Sequence, residues 1–329
     1  MQYDFIAIGD MVTDAFIKLD SNFAHVDIDK GAREICMRFA DKIPYEAVYE
    51  IPAVGNSPNA SVAAARLGLR TGLVSNIGTD RWGKDCLAAL KAEGVGRKFI
   101  KAHKGKKTNY HYVLWFDSDR TILVKHEAYE YSLPDIGEPK WLYLSSLGAA
   151  GDAFHDEIAT YLEAHSKIKL AFQPGTYQMK LGIERLARIY KRTDIFFCNK
   201  EEAQRILKTD GQDILVLLSG IRALGPKIVV VTDGPAGAYA YESEKMWHMP
   251  IYPDPKPPYE RTGAGDAFSA TFTAALALGL SVTDALRWAP INSMSVVQYV
   301  GAREGLLARE KINQLLGEAP AGYAVRSIA

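Results

Sequence analysis

The sequence has little cysteine, no excess of charge of either sign and no long apolar run. Its three cysteines, Cys36, Cys86 and Cys198, are far apart and include no C-x-x-C pair. This argues against a disulfide framework or a cysteine zinc site and fits a reducing compartment. Lysine and arginine together number 39, as do aspartate and glutamate, so no overall field attracts the chain to nucleic acid or to a membrane. An anionic ligand therefore has to be attracted by a local site.

The sequence also lacks the features of a membrane-inserted or secreted protein. No run approaches the roughly 18 apolar residues that a membrane span needs, and the start Met1-Gln2-Tyr3-Asp4 has no basic segment before an apolar one. We therefore expect a cytoplasmic protein with neither nucleic-acid nor membrane partners. The 329 residues are 48% hydrophobic and 24% charged, which is ordinary for a globular protein and sufficient for a large α/β domain.

Short apolar segments alternate with stretches of helical composition. Strands are predicted at 3–9, 72–77, 141–144, 168–172, 195–198 and 227–231, and helices at 57–67, 81–93, 153–165, 183–190 and 214–224. Parallel strands need crossover connections, so the alternation favours a mostly parallel sheet with helices on both faces. Ligands of such sheets bind beyond the carboxyl ends of the strands. Gly9-Asp10, Asn199 and Thr232-Asp233 follow predicted strands and are expected at that edge.

Two stretches, 35–54 and 99–125, interrupt this alternation and are rich in β-branched and aromatic residues. Residues 108–114 alternate with period two, and Asp117-Ser118-Asp119-Arg120 indicates a hairpin turn. Both stretches therefore have the character of β-strands. The proline-rich segment 250–258 indicates a stiff connector within one domain.

The most informative motif is Arg261-Thr262-Gly263-Ala264-Gly265-Asp266, which precedes an apolar stretch of helix formers at 267–280. The turn should lie at a helix N-terminus, where unpaired backbone N–H groups and the helix dipole form an anion site suited to phosphoryl transfer. Asp266 falls in the first turn of that helix, where a carboxylate can accept the proton of an attacking hydroxyl. The alternative is that Thr262 or Asp266 only caps the helix.

Gly263-Ala264-Gly265-Asp266 resembles the G-A-G-D signature of the ribokinase-like (PfkB) carbohydrate kinases, and four further motifs occur in the family's order. They are Asn59 with the small residues of 60–68, the G-x-D-x-x-G run Gly78-Thr79-Asp80-Arg81-Trp82-Gly83, the N-x-x-E motif Asn199-Lys200-Glu201-Glu202, and the nucleotide-loop pattern at 231–237. The resemblance implies one ribokinase-like α/β domain over 1–329. Its mostly parallel central sheet would be flanked by helices on both faces, with a small β-sheet lid inserted at about 14–20, 33–54 and 97–127.

The resemblance implies transfer of the γ-phosphate of ATP to a hydroxyl of a small sugar or sugar acid. Asp266 would be the base, and Gly263, Ala264 and Gly265 would offer backbone N–H groups to the transferring phosphate. The acceptor would be bound by Asp14, Gly55, Asn56 and Asn59. Carboxylates and amides suit this task because they match adjacent hydroxyls. The alternative for Asp14 is a solvated residue at a strand start, and for Asn59 a plain helix N-terminal residue.

The cofactors that the resemblance implies are ATP and Mg²⁺. Asn199 and Glu202, three residues apart, would organise Mg²⁺ and its waters, or else form a helix N-cap with its capping box. The nucleotide-binding residues would be Asn199, Thr232, Gly234, Gly237, Gly265, Asn292 and Ser295, with Val296 on the same helix against the adenine. The alternative, without a nucleotide site, is that Gly234 only forms a turn and that Ser295 and Val296 only belong to the core.

The sequence departs from the family pattern at two points. The first signature usually begins Gly-Gly, whereas the run here is Val54-Gly55-Asn56-Ser57-Pro58-Asn59, which alters the backbone that faces the acceptor. Upstream of G-A-G-D the family often has Asp-Thr, and in several members that aspartate helps to hold potassium. Here Glu260-Arg261 stands there, while Gly301-Ala302, the family's other segment at this site, is kept. Potassium activation therefore stays open.

The lid region contains Tyr110, Tyr112, Trp115, Phe116, Tyr129 and Tyr131. These rings either stack on the base of a nucleoside or form lid core and an interface. A small sheet with two apolar faces needs a covering surface. In the family that surface is often a second lid, which implies a homodimer. Three functions stay open: a sugar kinase, a nucleoside kinase of the adenosine type, and a catalytically silent ligand sensor on the same fold.

Overall fold

The computed structural model describes residues 2–29 and 31–328. The strands are β1 (Phe5–Ile8), β2 (Val12–Leu19), β3 (Ala24–Asp29), β4 (Ala32–Met37), β5 (Tyr45–Val54), β6 (Thr71–Gly78), β7 (Ile100–His103), β8 (Asn109–Phe116), β9 (Asp119–Leu123), β10 (Trp141–Leu144), β11 (Lys169–Phe172), β12 (Ile195–Asn199), β13 (Ile228–Thr232), β14 (Ala238–Glu242), β15 (Lys245–Met249) and β16 (Arg326–Ser327). The helices are α1 (Asn56–Arg66), α2 (Arg81–Ala92), α3 (Phe154–Ala164), α4 (Thr176–Arg185), α5 (Ala187–Arg192), α6 (Lys200–Leu207), α7 (Ile214–Ala223), α8 (Ala264–Ala277), α9 (Val282–Val296) and α10 (Arg309–Gly317).

A ten-stranded sheet in the order β16-β15-β14-β13-β12-β11-β10-β1-β6-β7 forms the middle of the molecule. The strands from β7 to β13 pair in parallel, and those from β13 to β16 pair antiparallel. Every residue of β1, β6 and β10 is buried, as expected of strands that are covered on both faces. This confirms the predicted α/β class.

Two apolar clusters, one on each face of the sheet, make up the core. Phe5 belongs to the cluster that includes residues of α1, α8 and α9, and Ile6 to the one that includes residues of α3, α6 and α7. Neighbouring residues of one strand thus point to opposite faces. No helix among residues 2–29 and 31–328 has the length and apolar character needed to cross a bilayer.

A smaller sheet in the order β5-β2-β8-β9 forms the lid. Strand β2 pairs antiparallel with β5 and in parallel with β8, which places Asp14 opposite His111. The predicted hairpin is confirmed with a shorter turn than 117–120, since Phe116 of β8 pairs with Asp119 and Trp115 with Arg120 of β9. The pairing of β2 with β8 therefore brings two polar residues of the lid, Asp14 and His111, side by side.

The motif Gly78-Thr79-Asp80-Arg81-Trp82-Gly83 anchors the lid to the central sheet. Asp80 caps α2 by accepting a hydrogen bond from the N–H of Gly83 (3.1 Å), and it also accepts one from the Thr108 hydroxyl (2.6 Å). A Cβ at Gly78 would lie 2.5 Å from the carbonyl carbon of Lys107. The backbone leading into β8 therefore passes directly over this turn, and glycine is required there.

The structure differs from the predicted elements in several places. Within the segment 97–127 that was assigned to the lid, β7 instead pairs with β6 at the edge of the central sheet. The β14–β15 hairpin, which was not predicted, extends that sheet antiparallel. The predicted helix 183–190 spans the end of α4 and most of α5. Short, half-exposed strands such as β7 have no periodicity that identifies their partner, so only tertiary pairing decides it.

Candidate active site

The turn at Gly263 starts α8, as the motif predicted. Gly263 has a φ of 84°, and a Cβ there would lie 2.5 Å from Cα of Ala302. At Gly265, by contrast, a Cβ would meet no heavy atom within 4 Å. No side chain caps this helix, and the Thr262 hydroxyl donates instead to Glu260 (2.6 Å). The capping alternative is therefore wrong, and the first-turn N–H groups lack a side-chain partner.

Three side-chain amides hold the carboxylate of Asp266. Oδ1 accepts hydrogen bonds from Asn56 Nδ2 (2.7 Å) and Gln173 Nε2 (3.2 Å), and Oδ2 accepts one from Asn59 Nδ2 (2.8 Å). Burial raises the pKa of Asp266, and the three hydrogen bonds oppose that rise. A carboxylate with a raised pKa in a fixed orientation has the properties of a general base.

Asp266 lies in a cavity of about 1160 Å³ between the lid and the carboxyl ends of the central strands. Asp10 after β1, Gln173 after β11, Asn199 at the end of β12 and Thr232 at the end of β13 all line it. The strand-end residues predicted to meet at one edge of the sheet do so. Of the predicted site residues, those lining this cavity are Asp14, Gly55, Asn56, Asn59, Asn199, Glu202, Thr232, Gly234, Gly263, Gly265 and Asp266.

Asn199 and Glu202 form a capping box at the start of α6. Asn199 Oδ1 accepts from the N–H of Glu202 (2.8 Å), and Glu202 Oε2 accepts from the N–H of Asn199 (2.9 Å). The capping alternative is thus present, yet both residues also line the cavity. Burial raises the pKa of Glu202, and the charge of Asp266 adds to the rise. Two carboxylates in one cavity are chemically suited to a divalent cation, which would offset their repulsion.

A second cavity of about 270 Å³ lies between the loop after β13, the connector 250–258, α8 and α9. Gly237 and Ala264 line it, and Thr232, Gly234 and Gly265 line both cavities. Its remaining lining is largely apolar and includes Tyr252, Phe268, Pro290, Met294 and Val297. An apolar pocket that opens at a helix N-terminus suits a flat ring attached to an anionic group.

Two predicted nucleotide-binding residues, Asn292 and Ser295, line neither cavity, and Asn199 lines only the large one. Asn292 is fully buried; its Nδ2 donates to Thr271 Oγ1 (2.8 Å), and its Oδ1 accepts from the N–H of Leu307 (2.9 Å). Helix α9 instead presents Pro290, Ser293 and Met294 to the cavity, and Val297 lines it from just beyond the helix. Ser295 and Val296, which was predicted to face the adenine, are absent from the lining. One residue along a helix rotates the side chain by about 100°, and sequence spacing alone did not determine that rotation.

The comparisons with known proteins agree with this geometry. A family model described as pfkB family carbohydrate kinase matches residues 38–309. The chain belongs to the pfkB family. Its relatives include the ribokinase of Bacillus subtilis (strain 168), 27% identical over 80% of this chain and 87% of the relative. Another is the nucleoside kinase of Methanothermobacter thermautotrophicus, 26% identical over 77% of this chain and 80% of the relative.

Among solved structures, this pfkB protein is similar to the ribokinase of Arabidopsis thaliana, determined in complex with ribose and ATP. The TM-score is 0.80 at 20% identity, over 96% of this chain and 99% of that chain. At this identity the likeness concerns the fold alone. The predicted ribokinase-like fold is thereby confirmed.

The lid end of the large cavity contains a cluster of carboxylates and imidazoles. His111 Nδ1 lies 3.4 Å from Asp14 Oδ1, and His126 Nδ1 lies 3.2 Å from Asp10 Oδ2. Asp14 Oδ1, His111 Nε2 and His126 Nδ1 are buried yet make no hydrogen bond. Buried polar atoms without partners are costly, so this end of the cavity is suited to a ligand with several hydroxyl groups.

Sequence reasoning missed several residues of this site. Gln173 directly follows a predicted strand, and the strand-end rule that selected Asn199 applies equally to it. His111 lies within the period-two segment, but its place opposite Asp14 depends on the register of two strands distant in sequence. His126 belonged to no motif, and Arg120 was part of the predicted hairpin turn only, so no sequence signal would have identified either as a site residue.

Proposed function

We propose that this pfkB protein transfers the γ-phosphate of ATP to a hydroxyl of a small sugar or sugar acid, with Asp266 as the base. The observation that carries the proposal is the position of Asp266. Its carboxylate is fixed by three amides, lies in the first turn of α8, and sits beside Gly265, where the two cavities meet. Acceptor and nucleotide can therefore approach one carboxylate from two sides.

In this mechanism the acceptor occupies the lid end of the large cavity. Asp14, with an unpaired buried oxygen, and Asn59, whose Oδ1 is also buried and unpaired, would accept hydrogen bonds from its hydroxyls. Gly55 and Asn56 would contact it from the start of α1, where a Cβ at Gly55 would lie 2.8 Å from the carbonyl oxygen of Asp10. Asp266 would take the proton of the attacking hydroxyl. The base and the acceptor-binding amides thus share one hydrogen-bond network.

The nucleotide would lie with its base in the smaller cavity, along Thr232, Gly234 and Gly237. Its terminal phosphate would meet the backbone N–H groups of Gly263, Ala264 and Gly265, where the helix dipole adds positive potential. Asn199 and Glu202 would hold Mg²⁺ through water, and the ion would neutralise phosphate charge. The lid would exclude water, so that ATP is not hydrolysed without an acceptor.

The position of the lid aromatic residues favours a sugar over a nucleoside. None of the six rings singled out above lines the large cavity among the residues that the structure describes. Trp115 is buried against Tyr259 (centroids 5.0 Å apart), and Tyr110 packs on Trp82 (4.8 Å) on the other face of the lid. A nucleoside remains the alternative because His126 and Tyr177 present rings to the cavity, 6.0 Å apart.

The test is ADP release with magnesium-ATP across pentoses, hexoses, sugar acids and nucleosides, with thermal stabilisation by each ligand measured in parallel. Turnover with a sugar or sugar acid is the expected result. Turnover with nucleosides alone would replace the sugar assignment by the alternative. Binding of ATP and an acceptor without any turnover would support a catalytically silent sensor instead.

The activity should depend on pH through Asp266. Burial raises its pKa above the ordinary 3.8, and only the deprotonated form accepts a proton, so kcat/KM should fall as the pH drops through this raised value. Gln173→Met removes a hydrogen bond that lowers the pKa and should move the acid limb to higher pH. Glu202→Gln is the control, because the pKa of Glu202 is raised as well. If the fall of kcat/KM at low pH is still present in this variant, Glu202 does not cause it. An acid limb unmoved in Gln173→Met would contradict the assignment.

We also propose a homodimer formed through the outer face of the lid. Val48, Tyr112, Leu123 and Val124 are 49% to 55% exposed and line a depression on that face. A clustered apolar face of this kind marks an interface, and a second lid is the matching surface. Light scattering should give about twice 36.3 kDa for the wild type and the monomer mass for Val48→Lys. Val216→Lys on α7, also exposed, is the matched control and should leave the dimer intact.

A further inference from the structure

Glu260 is a fully buried carboxylate and lies just before residues 261–265, the turn at the start of α8 that we call the phosphate turn. Its Oε1 accepts hydrogen bonds from the N–H (2.8 Å) and the hydroxyl (2.6 Å) of Thr262, and its Oε2 accepts one from the N–H of Gly301 (3.3 Å). Thr262 leads into Gly263, and Ala302, next to Gly301, is the residue on which Gly263 packs. One carboxylate therefore joins the two segments that shape the phosphate turn.

The positive charge near Glu260 comes from the lid. Arg120, the second residue of β9, places its Nε 4.0 Å from Glu260 Oε1, and it lines the large cavity together with Asp266. A buried carboxylate that loses its counter-charge is strongly destabilised. Movement of β9 away from the site would therefore weaken the bracing of the turn by Glu260.

We infer that Arg120 is a positioning residue, which couples the lid to the phosphate turn through Glu260. The turn then has its working shape only while the lid lies over the cavity. Because such coupling is reciprocal, an anion bound at the turn stabilises the closed lid. The effect on kcat that this inference predicts rests on the proposed function. The effect on the shape of the turn rests only on the contacts of Glu260.

The same contacts bear on potassium. The residues present do not fit that ion beside the turn. Glu260 Oε1 already accepts two hydrogen bonds from Thr262 and Oε2 accepts one from Gly301, and the carboxylate already has a cation beside it, Arg120. A cation there would also face the guanidinium of Arg120. Arg120 therefore takes the place of a monovalent cation, and activity is independent of potassium.

The structural test is hydrogen exchange of the backbone amides at 262–266, which needs no acceptor. Arg120→Ala should accelerate exchange there and leave β10 to β12 unchanged. Arg38→Ala is the matched control, since Arg38 is 87% exposed and its ion pair, with Asp41, lies away from the site. Unchanged exchange at 262–266 in Arg120→Ala would overturn the inference. This readout stays interpretable if the proposed kinase activity fails.

The kinetic test is a double-mutant cycle. Arg120→Ala should lower kcat by about 10–100-fold, as misplacement of a catalytic group does, and Arg120→Lys should recover part of it. In a Glu260→Gln background, where the charge is absent, adding Arg120→Ala should cost no more than about twofold. Additive effects of the two substitutions on kcat would overturn the coupling. The potassium test compares the wild type in potassium chloride and in choline chloride, and more than about tenfold activation by potassium would also overturn the inference.

Discussion

Replacing Asp266 with asparagine should lower kcat by about 10²–10⁴-fold, the usual effect of losing a general base. The substitution keeps the size of the side chain but removes its basic oxygen. It also places an N–H₂ group where Oδ2 now accepts a hydrogen bond from Asn59 Nδ2. Two donors then face each other, and that hydrogen bond is lost. We therefore expect the variant to bind magnesium-ATP and to be somewhat less stable to heat than the wild type.

A second substitution separates the two effects. In Asp266→Asn with Asn59→Asp, a carboxylate again faces an amide across the same contact, so thermal stability should return. Activity should not return, because the carboxylate is no longer in the first turn of α8. The measurements are ADP release under saturating acceptor and the melting temperature of each variant. If the single variant keeps more than a tenth of the wild-type kcat, Asp266 is not the base.

Alanine at the two glycines of the phosphate turn should affect stability differently but activity alike. Gly263→Ala combines a φ of 84° with a clash against Ala302, so it should reduce the free energy of unfolding by about 1–3 kcal/mol. Gly265→Ala has open space for its methyl group and should change that free energy by less than about 0.5 kcal/mol. Both variants should lower kcat/KM by about 10²–10³-fold, comparable to the loss of an oxyanion donor.

Gly265→Ala is the informative member of this pair. Its methyl group meets no protein atom, so a loss of activity without a loss of stability can come only from what binds in the open space. The measurements are denaturant unfolding and steady-state kinetics with the acceptor that the panel identifies. Wild-type activity in Gly265→Ala would mean that the transferring phosphate does not approach this backbone.

Much of the fold could be predicted because its information is local. The strand at 141–144 and the helices near 57–67 and 81–93 follow from short apolar runs and from glycine after the last helical residue. The phosphate turn was likewise predictable, since small residues followed by helix formers place a helix start at Gly263. Asn199 and Glu202 were predicted as a capping box or a metal pair, and the structure contains the capping box.

Other parts of the site required the tertiary structure. Asp266 is held by Asn56, Asn59 and Gln173, which come from two further elements. His111 faces Asp14 only because β8 pairs with β2 in one register, and a shift of one residue would turn its side chain to the outer face of the lid.

By itself the sequence determined the α/β class, the helix start at the phosphate turn, and the strand ends that meet at one edge of the sheet. These depend on backbone preferences and on periodicity within a few residues. The tertiary structure alone decided which side of α9 faces the nucleotide cavity, that β7 joins the central sheet, and that Arg120 of the lid meets Glu260. The physical reason is that helix rotation, strand register and contacts between distant segments are set by the packing free energy of the whole chain, which no local pattern records.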